Sequence, residues 1–432
     1  MTSMKTAGTI ALTALMTAGL LGAGGTYSFA ASHATRHAAP AVHLVLTMFG
    51  SPLDVQTYQE RANLYTKMHP NVTVTVKLLN NYDQEVETMI AGGDAPDIME
   101  VSQDAVGFGA KGAVLDLNPY IKAAHLNLNK RFYPGYIDQY NYKGAQYAIP
   151  DRGGFMAMYV NKTMFAKAHL ALPTPDWSWS TFLHDAQKLT IRQAGKTTQW
   201  GLSIDQWWPK YGSFIHEAGG QVLNNSETVS TVNSAAAKTA LQFYRDWMFK
   251  YDVTPNPNEW ADLGAGMNAD ALFGKGEAAM MPTGLWDIAP FNQAKLNYEI
   301  VTMPRDKRGG TEAVGTGLAV CADSKNPQVA FDVVDFMTSF KGEVPIVTNK
   351  EDIPANRKAS DMWYREQQGV IAPDQWTTMN QEIFSPHIPP TWNQWQGVIG
   401  NELGLFFDQK LTIGEAAQTI VLQSKNALAG VQ

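Results

Sequence analysis

Cysteine is almost absent: Cys321 is the only one in 432 residues, which excludes an internal disulfide and a cysteine-based metal cluster. Positive charge is in deficit. Thirty-three Lys and Arg stand against forty Asp and Glu, giving a net charge of −7; nucleic acid and anionic membrane surfaces are poor partners for such a chain. Long apolar runs are missing beyond the N-terminus, so nothing downstream is expected to insert stably in a bilayer. Local enzyme signatures are missing too. No HExxH, GxSxG or GxxxxGK(S/T) occurs, and the nine His are scattered; no catalytic residue, metal site or cofactor is expected.

What is present begins with export. Lys5 is the only charge among the first thirty residues, an apolar stretch runs from Thr9 to Leu21, and Ser28-Phe29-Ala30 supplies a small-x-small cleavage site. Residues 1–30 therefore read as a signal peptide and 31–41 as a flexible leader. No Cys stands near the end of the signal, where lipid attachment would require one; Gly occupies that place in Leu21-Gly22-Ala23-Gly24. An exported, unanchored protein is expected, either periplasmic or secreted and associated with the cell surface.

Downstream, strand and helix patterns alternate. His43–Phe49 is an apolar run ended by Gly50-Ser51-Pro52; Val55, Tyr58, Ala62, Tyr65 and Met68 then fall on one helical face. Val72, Val74, Val76 and Leu78 alternate with polar residues as in a half-buried strand. Further strands are expected at 98–101, 147–150, 157–160, 199–204, 278–281, 298–303 and 317–321. Helices are expected at 179–190, 234–251 and 326–339, and from Trp392 on. Alternation of this kind implies mainly parallel sheets flanked by helices, and this length implies two domains.

Four segments occur in order: GGDAPDIMEV (92–101), YAIPDRGGFMAMYVNKTMF (147–165), FGKGEAAMMPTGLWD (273–287) and TGLAVCADSKNPQVAFDVVDFM (316–337). With them the chain resembles the extracellular solute-binding proteins of ATP-driven (ABC) importers, in the sugar- and oligosaccharide-binding, maltose-binding-protein-like branch. The resemblance implies a two-lobed α/β fold with a mainly parallel sheet in each lobe and ligand in the cleft between them. It implies an N-terminal lobe of 42–153 plus 312–350 and a C-terminal lobe of 154–311 plus 351–432. Crossovers are implied near Gly154–Val160, Tyr298–Arg305 and Asn349–Arg357. It further implies a monomer that closes on a hinge and delivers its ligand to membrane permease subunits.

The resemblance also carries ligand-binding candidates. Trp286, followed by Asp287, matches a ring-stacking Trp after a Met-x-x-Gly strand. Phe49 and Ser51 follow the first strand; Tyr82 follows the second; Asp104 follows the third. Asp151 and Arg152 follow a Tyr-x-x-Pro segment, Gly315 and Gly317 enter a later strand, and Arg357 follows the third crossover. Trp207, Trp208 and Trp392 are drawn from an unusual stock of twelve Trp. Indoles suit the apolar faces of sugar rings, while carboxylates, amides and guanidinium groups suit the hydroxyl rim. Each candidate has a plainer role open to it: core packing for the Trp residues, helix capping for Asp104 and Asp151, a surface ion pair for Arg357. An amino-acid or peptide carrier of the same fold is the nearest alternative function, and an exported glycoside hydrolase a more distant one.

Overall fold

Val42–Met48 and Val72–Leu78 pair in parallel over their full lengths, Val42 beside Val72 and Met48 beside Leu78. The helix between them, Pro52–Met68, begins at Ser51, whose side chain and that of Asp54 form a reciprocal capping box, with Pro52 in the first turn. Ile98–Val101 adds in parallel on the other side of the first strand. Thr316–Val320 and Ile149–Arg152 complete a five-stranded sheet, each step antiparallel to its neighbour. These strands belong to a computed structural model in which residues 40–429 are described. The expected signal peptide, and all but the last two residues of the leader, lie outside the described residues.

A second sheet has Met156–Asn161 at its centre, flanked by Met280–Gly284 and Tyr298–Val301, both antiparallel to it. Parallel bridges, Trp200 with Ala278 and Ile300 with Ile371, extend its edges. The two-lobed α/β architecture is thus present, with one difference from a simple parallel reading. In each sheet one strand runs against the rest: Thr316–Val320 in the first, Met156–Asn161 in the second. Both come directly from the other sheet without a helical return, and a helical return is what brings a strand back parallel. The strand expected at 199–204 is reduced to a hairpin edge at Lys196–Gln199 and the bridge at Trp200.

Three chain segments cross between the sheets side by side. Gly153 N–H donates to the Ile353 carbonyl (2.8 Å), Ala355 N–H to that of Asp151 (3.0 Å) and Val314 N–H to that of Gly154 (2.8 Å). The second crossing lies at 311–316, not near Tyr298–Arg305, because residues 298–301 are a full rung of the second ladder. Packing at the seam is tight: a Cβ on Gly315 would stand 2.4 Å from the Arg152 carbonyl oxygen. Behind the second sheet, Phe182, Phe214, Tyr244 and Trp247 form a buried aromatic core.

Candidate functional site

Ligands in sheets of this kind sit beyond the carboxyl ends of the strands. Phe49 follows the first strand, and its ring meets Tyr82 edge-on at 5.1 Å. Tyr82, only 8% exposed, opens the helix Tyr82–Ala91 and holds its hydroxyl 3.3 Å from Thr47 Oγ1. Asp104 follows the third strand and accepts the Ser102 N–H at 2.8 Å. Burial, and secondarily the charge of Asp83, push its carboxyl up to about 6. Phe49, Tyr82 and Asp104 line one cavity of 540 Å³, closed on the far side by Trp392, Asn393 and Gln396 of the helix Trp392–Phe407. Trp392 Nε1 donates to Gln103 Oε1 across it (3.2 Å).

The second sheet contributes rings. Met280–Gly284 ends in a single 3₁₀ turn, Leu285–Asp287. The Trp286 indole folds back over the chain: a Cβ on Gly284 would lie 2.0 Å from its Cζ3, so the close approach needs glycine there. Trp207, 41% exposed, meets Trp286 edge-to-face at 5.9 Å. Trp286 also lines a 370 Å³ cavity with Glu351 and Asp352 of the third crossing. Burial, before its charged neighbours, raises Asp352 to about 6.

Around the indole pair sits a polar group that sequence reasoning half found. Asp287 accepts the Thr283 hydroxyl at 2.6 Å and is pushed up to about 6, mainly by burial, with Asp270 raising and Lys210 opposing. Lys210, almost fully buried, reaches Asp205 Oδ2 at 3.0 Å. Lys210 and Asp270 were not candidates. The available signal was a lone Lys inside the apolar helix Trp208–Glu217, where burial demands a partner.

Several candidates do other work. Asp151 is fully buried and forms a two-point pair with Arg61, whose remaining donors go to the carbonyls of Gly342 and Met337; nothing is left to offer a ligand. Arg152 is spent on Glu100, on Glu351 (2.9 Å) and on Thr316 Oγ1 (3.3 Å). Ser51 caps a helix. Gly317 packs in the core, with the Tyr140 ring 3.0 Å from where a Cβ would stand, and Gly315 serves the seam. Arg357 stacks on Tyr133 at 4.3 Å and donates to the Phe132 carbonyl (2.8 Å). Of the adjacent pair, Trp207 is open and Trp208 is buried, packed against Trp392 (5.4 Å) and Trp395 (5.7 Å). Trp392 is itself 2% exposed, so it forms a wall and not a free platform. Cys321 is buried. Among the described residues no group of three or more His, Cys, Asp or Glu is placed to hold a metal ion, and no helix is long and apolar enough to cross a membrane.

The family model of bacterial extracellular solute-binding proteins matches residues 50–343. The chain belongs to that family. This solute-binding protein is similar to the maltodextrin-binding protein of Bacillus subtilis (strain 168), 24% identical over 79% of this chain and 81% of the relative. It is also similar to the galactooligosaccharide-binding protein of the same organism, 22% identical over 88% and 91%. Among solved structures, an ABC substrate-binding protein of Listeria monocytogenes in complex with cycloalternan superposes with a TM-score of 0.78, at 23% identity, over 91% of this chain and all of the other. These likenesses bear on the fold.

Proposed function

We propose that this solute-binding protein captures a sugar or oligosaccharide outside the cytoplasm and passes it, chemically unchanged, to the permease of an ATP-driven importer. The observation that carries this reading is the Trp207–Trp286 pair. Two indoles meet edge-to-face where the end of the strand Met280–Gly284 meets the start of the helix Trp208–Glu217, one of them well exposed, beside Asp205 and the buried Lys210. Indole faces cover the C–H faces of a sugar ring, and the carboxylates and ammonium address its hydroxyls with charge-assisted hydrogen bonds. A neutral polyol needs no net counter-charge, and this wall pairs Lys210 with Asp205.

Lobes divided at 153/154, 311/312 and 350/351 fit the three crossing segments. The first lobe then offers Phe49, Tyr82 and Asp104, and the second offers Trp207, Trp286 and Asp287. A ligand touching both walls favours the closed arrangement through its differential affinity for it. The Trp392–Gln103 hydrogen bond is one contact such closure brings together. A monomer suits the mechanism. The relatives' printed ligands, maltodextrin, galactooligosaccharide and cycloalternan, point to the same chemical class.

Tryptophan fluorescence titrated with a panel of saccharides tests the reading. A saturable change with one saccharide class, and recovery of that saccharide intact, is expected. Release of reducing ends would instead mark a hydrolase. Melting-point shifts with amino acids or peptides that Trp286→Ala abolishes, and none with sugars, would mark a carrier of the other kind.

A further inference from the structure

Behind the cleft, a small cavity of 110 Å³ opens between the helix Trp208–Glu217 and the strand pair Thr311–Glu312 with Ile383–Phe384. Its size is well below the ~300 Å³ at which drug-sized sites begin. Glu312 lines it and is fully buried, yet neither carboxylate oxygen has a hydrogen-bond partner. The indole N–H of buried Trp208, another lining residue, faces that carboxyl without a well-formed hydrogen bond: burial holds the carboxyl well above the usual carboxylate range, and the Trp208 N–H only partly opposes this. Gly212 leaves the carboxyl its room: a Cβ there would stand 2.7 Å from Glu312 Oε2 and 3.4 Å from the Trp208 ring. A buried carboxylate without a partner is among the costliest groups a protein can hold.

The same cavity also carries the opposite charge. Arg308 lines it and is exposed at its mouth. Its Nε and Nη2 donate to the carbonyls of His216 (2.8 Å) and Gly220 (2.9 Å), which fixes the guanidinium plane and leaves Nη1 without a partner among the described residues. The walls between carry Ile215, Val222, Phe384 and Pro386, with Gln221 and Ser385 as polar members. Two imidazoles also line it: His387 Nδ1 lies 3.4 Å from Glu227 Oε1, and His216 stacks on Phe384, its pKa lowered to about 3 by burial and then by Arg308. An acceptor and a guanidinium in one small cavity, with largely apolar walls, suit a molecule with an ammonium at one end and a carboxylate at the other.

We propose that this cavity is a second ligand site, separate from the cleft, that takes a small zwitterionic amino acid, its ammonium on Glu312 and its carboxylate on Arg308. Glycine and alanine fit the volume, and larger side chains do not. The site lies against Thr311–Glu312, where the second crossing begins, so its occupant stiffens the strand that leads into the seam.

Calorimetry and thermal unfolding of the purified exported chain test the proposal, with glycine, L-alanine, L-leucine, methylammonium and acetate as probes. Glycine and alanine should bind and raise the melting temperature, while leucine and the two half-ligands should not. Glu312→Gln and Arg308→Ala should each weaken glycine binding by at least about tenfold and leave the saccharide titration unchanged. Should Glu312→Gln fail to fold, Gly212→Ala fills the same space from the helix side and should give the same loss. Absence of any response to glycine and alanine overturns the proposal, as does methylammonium binding as tightly as glycine. Loss of the glycine response in Trp286→Ala overturns it too, because that places the amino acid in the cleft.

Discussion

The seam between the sheets and the cleft beside it are built from opposite materials. In the seam, charge is dense and mostly paired: Arg61 with Asp151, and Arg152 with Glu100 and Glu351, all largely out of water. In the cleft, charge is sparser and partly unspent: Asp205 and Asp270 are open to solvent, and Trp207 presents a face. The difference teaches that abundance of charged residues does not mark a ligand site. On the function proposed above, what marks it is unspent bonding capacity on side chains that the fold holds facing solvent. Asp151 and Arg152 sit at the right place in the chain and fail that criterion.

The largest expected effect separates the two regions most sharply. Asp151→Ala leaves the Arg61 guanidinium buried without its carboxylate, which typically costs about 3–5 kcal/mol of stability. Urea unfolding reads that loss directly. Saccharide affinity, measured where the variant is folded, should stay within about twofold, because distant sites act independently. An affinity collapse with intact stability would return Asp151 to the ligand site. Trp286→Ala should do the reverse. It should lose on the order of 1–4 kcal/mol of binding, as central aromatic anchors do, with a much smaller loss in unfolding free energy. A variant that unfolds, or that binds as the parent does, sinks the stacking role.

Trp207→Ala sharpens the contrast on a finer scale. The ring is substantially exposed, so its removal should leave the unfolding midpoint nearly unmoved and weaken saccharide binding by about 1–2 kcal/mol. Titration calorimetry alongside a melt reads both. A drop in melting temperature with unaltered affinity would make Trp207 a packing residue like its neighbour.

Residues 207 and 208 also show how far the sequence could be read. Periodicity was enough for Val72–Leu78, the alternation of elements was enough for Ile98–Val101, and the four motifs were enough for the two-lobed plan. The adjacent indoles were legible as ligand candidates or core residues, but nothing local separated one from the other. That choice is made by Trp392 and Trp395, which arrive from the far end of the chain to bury Trp208. The pairing of Asp151 with Arg61 was likewise invisible, since it joins residues ninety positions apart. The reversed strand in each sheet follows from the crossings, which no local pattern records. Among the cleft residues that the sequence reading missed, Lys210 had a readable local signal, a cation within an apolar helix.

Asp104 carries the smallest expected effect, and its sign is fixed by its environment. Its carboxyl is raised to about 6 in the folded chain, first by burial and then by Asp83, against roughly 3.9 when unfolded. The folded protein therefore holds the proton more tightly, and the group's stabilising contribution is complete below about pH 4 and lost as pH rises through 6. Asp104→Asn should accordingly raise stability at pH 7 by about 1 kcal/mol, the full shift being discounted for the cavity's access to water, and give no gain at pH 4. Ligand affinity should move the other way. The ionised carboxylate is the stronger acceptor, so parent affinity should weaken as pH falls below 6, whereas the Asn variant should bind more weakly at pH 7 with a flatter profile. Unfolding curves of parent and variant collected from pH 4 to 7 decide the first point, and curves that stay parallel across that range would remove Asp104 from the list of groups that the fold perturbs.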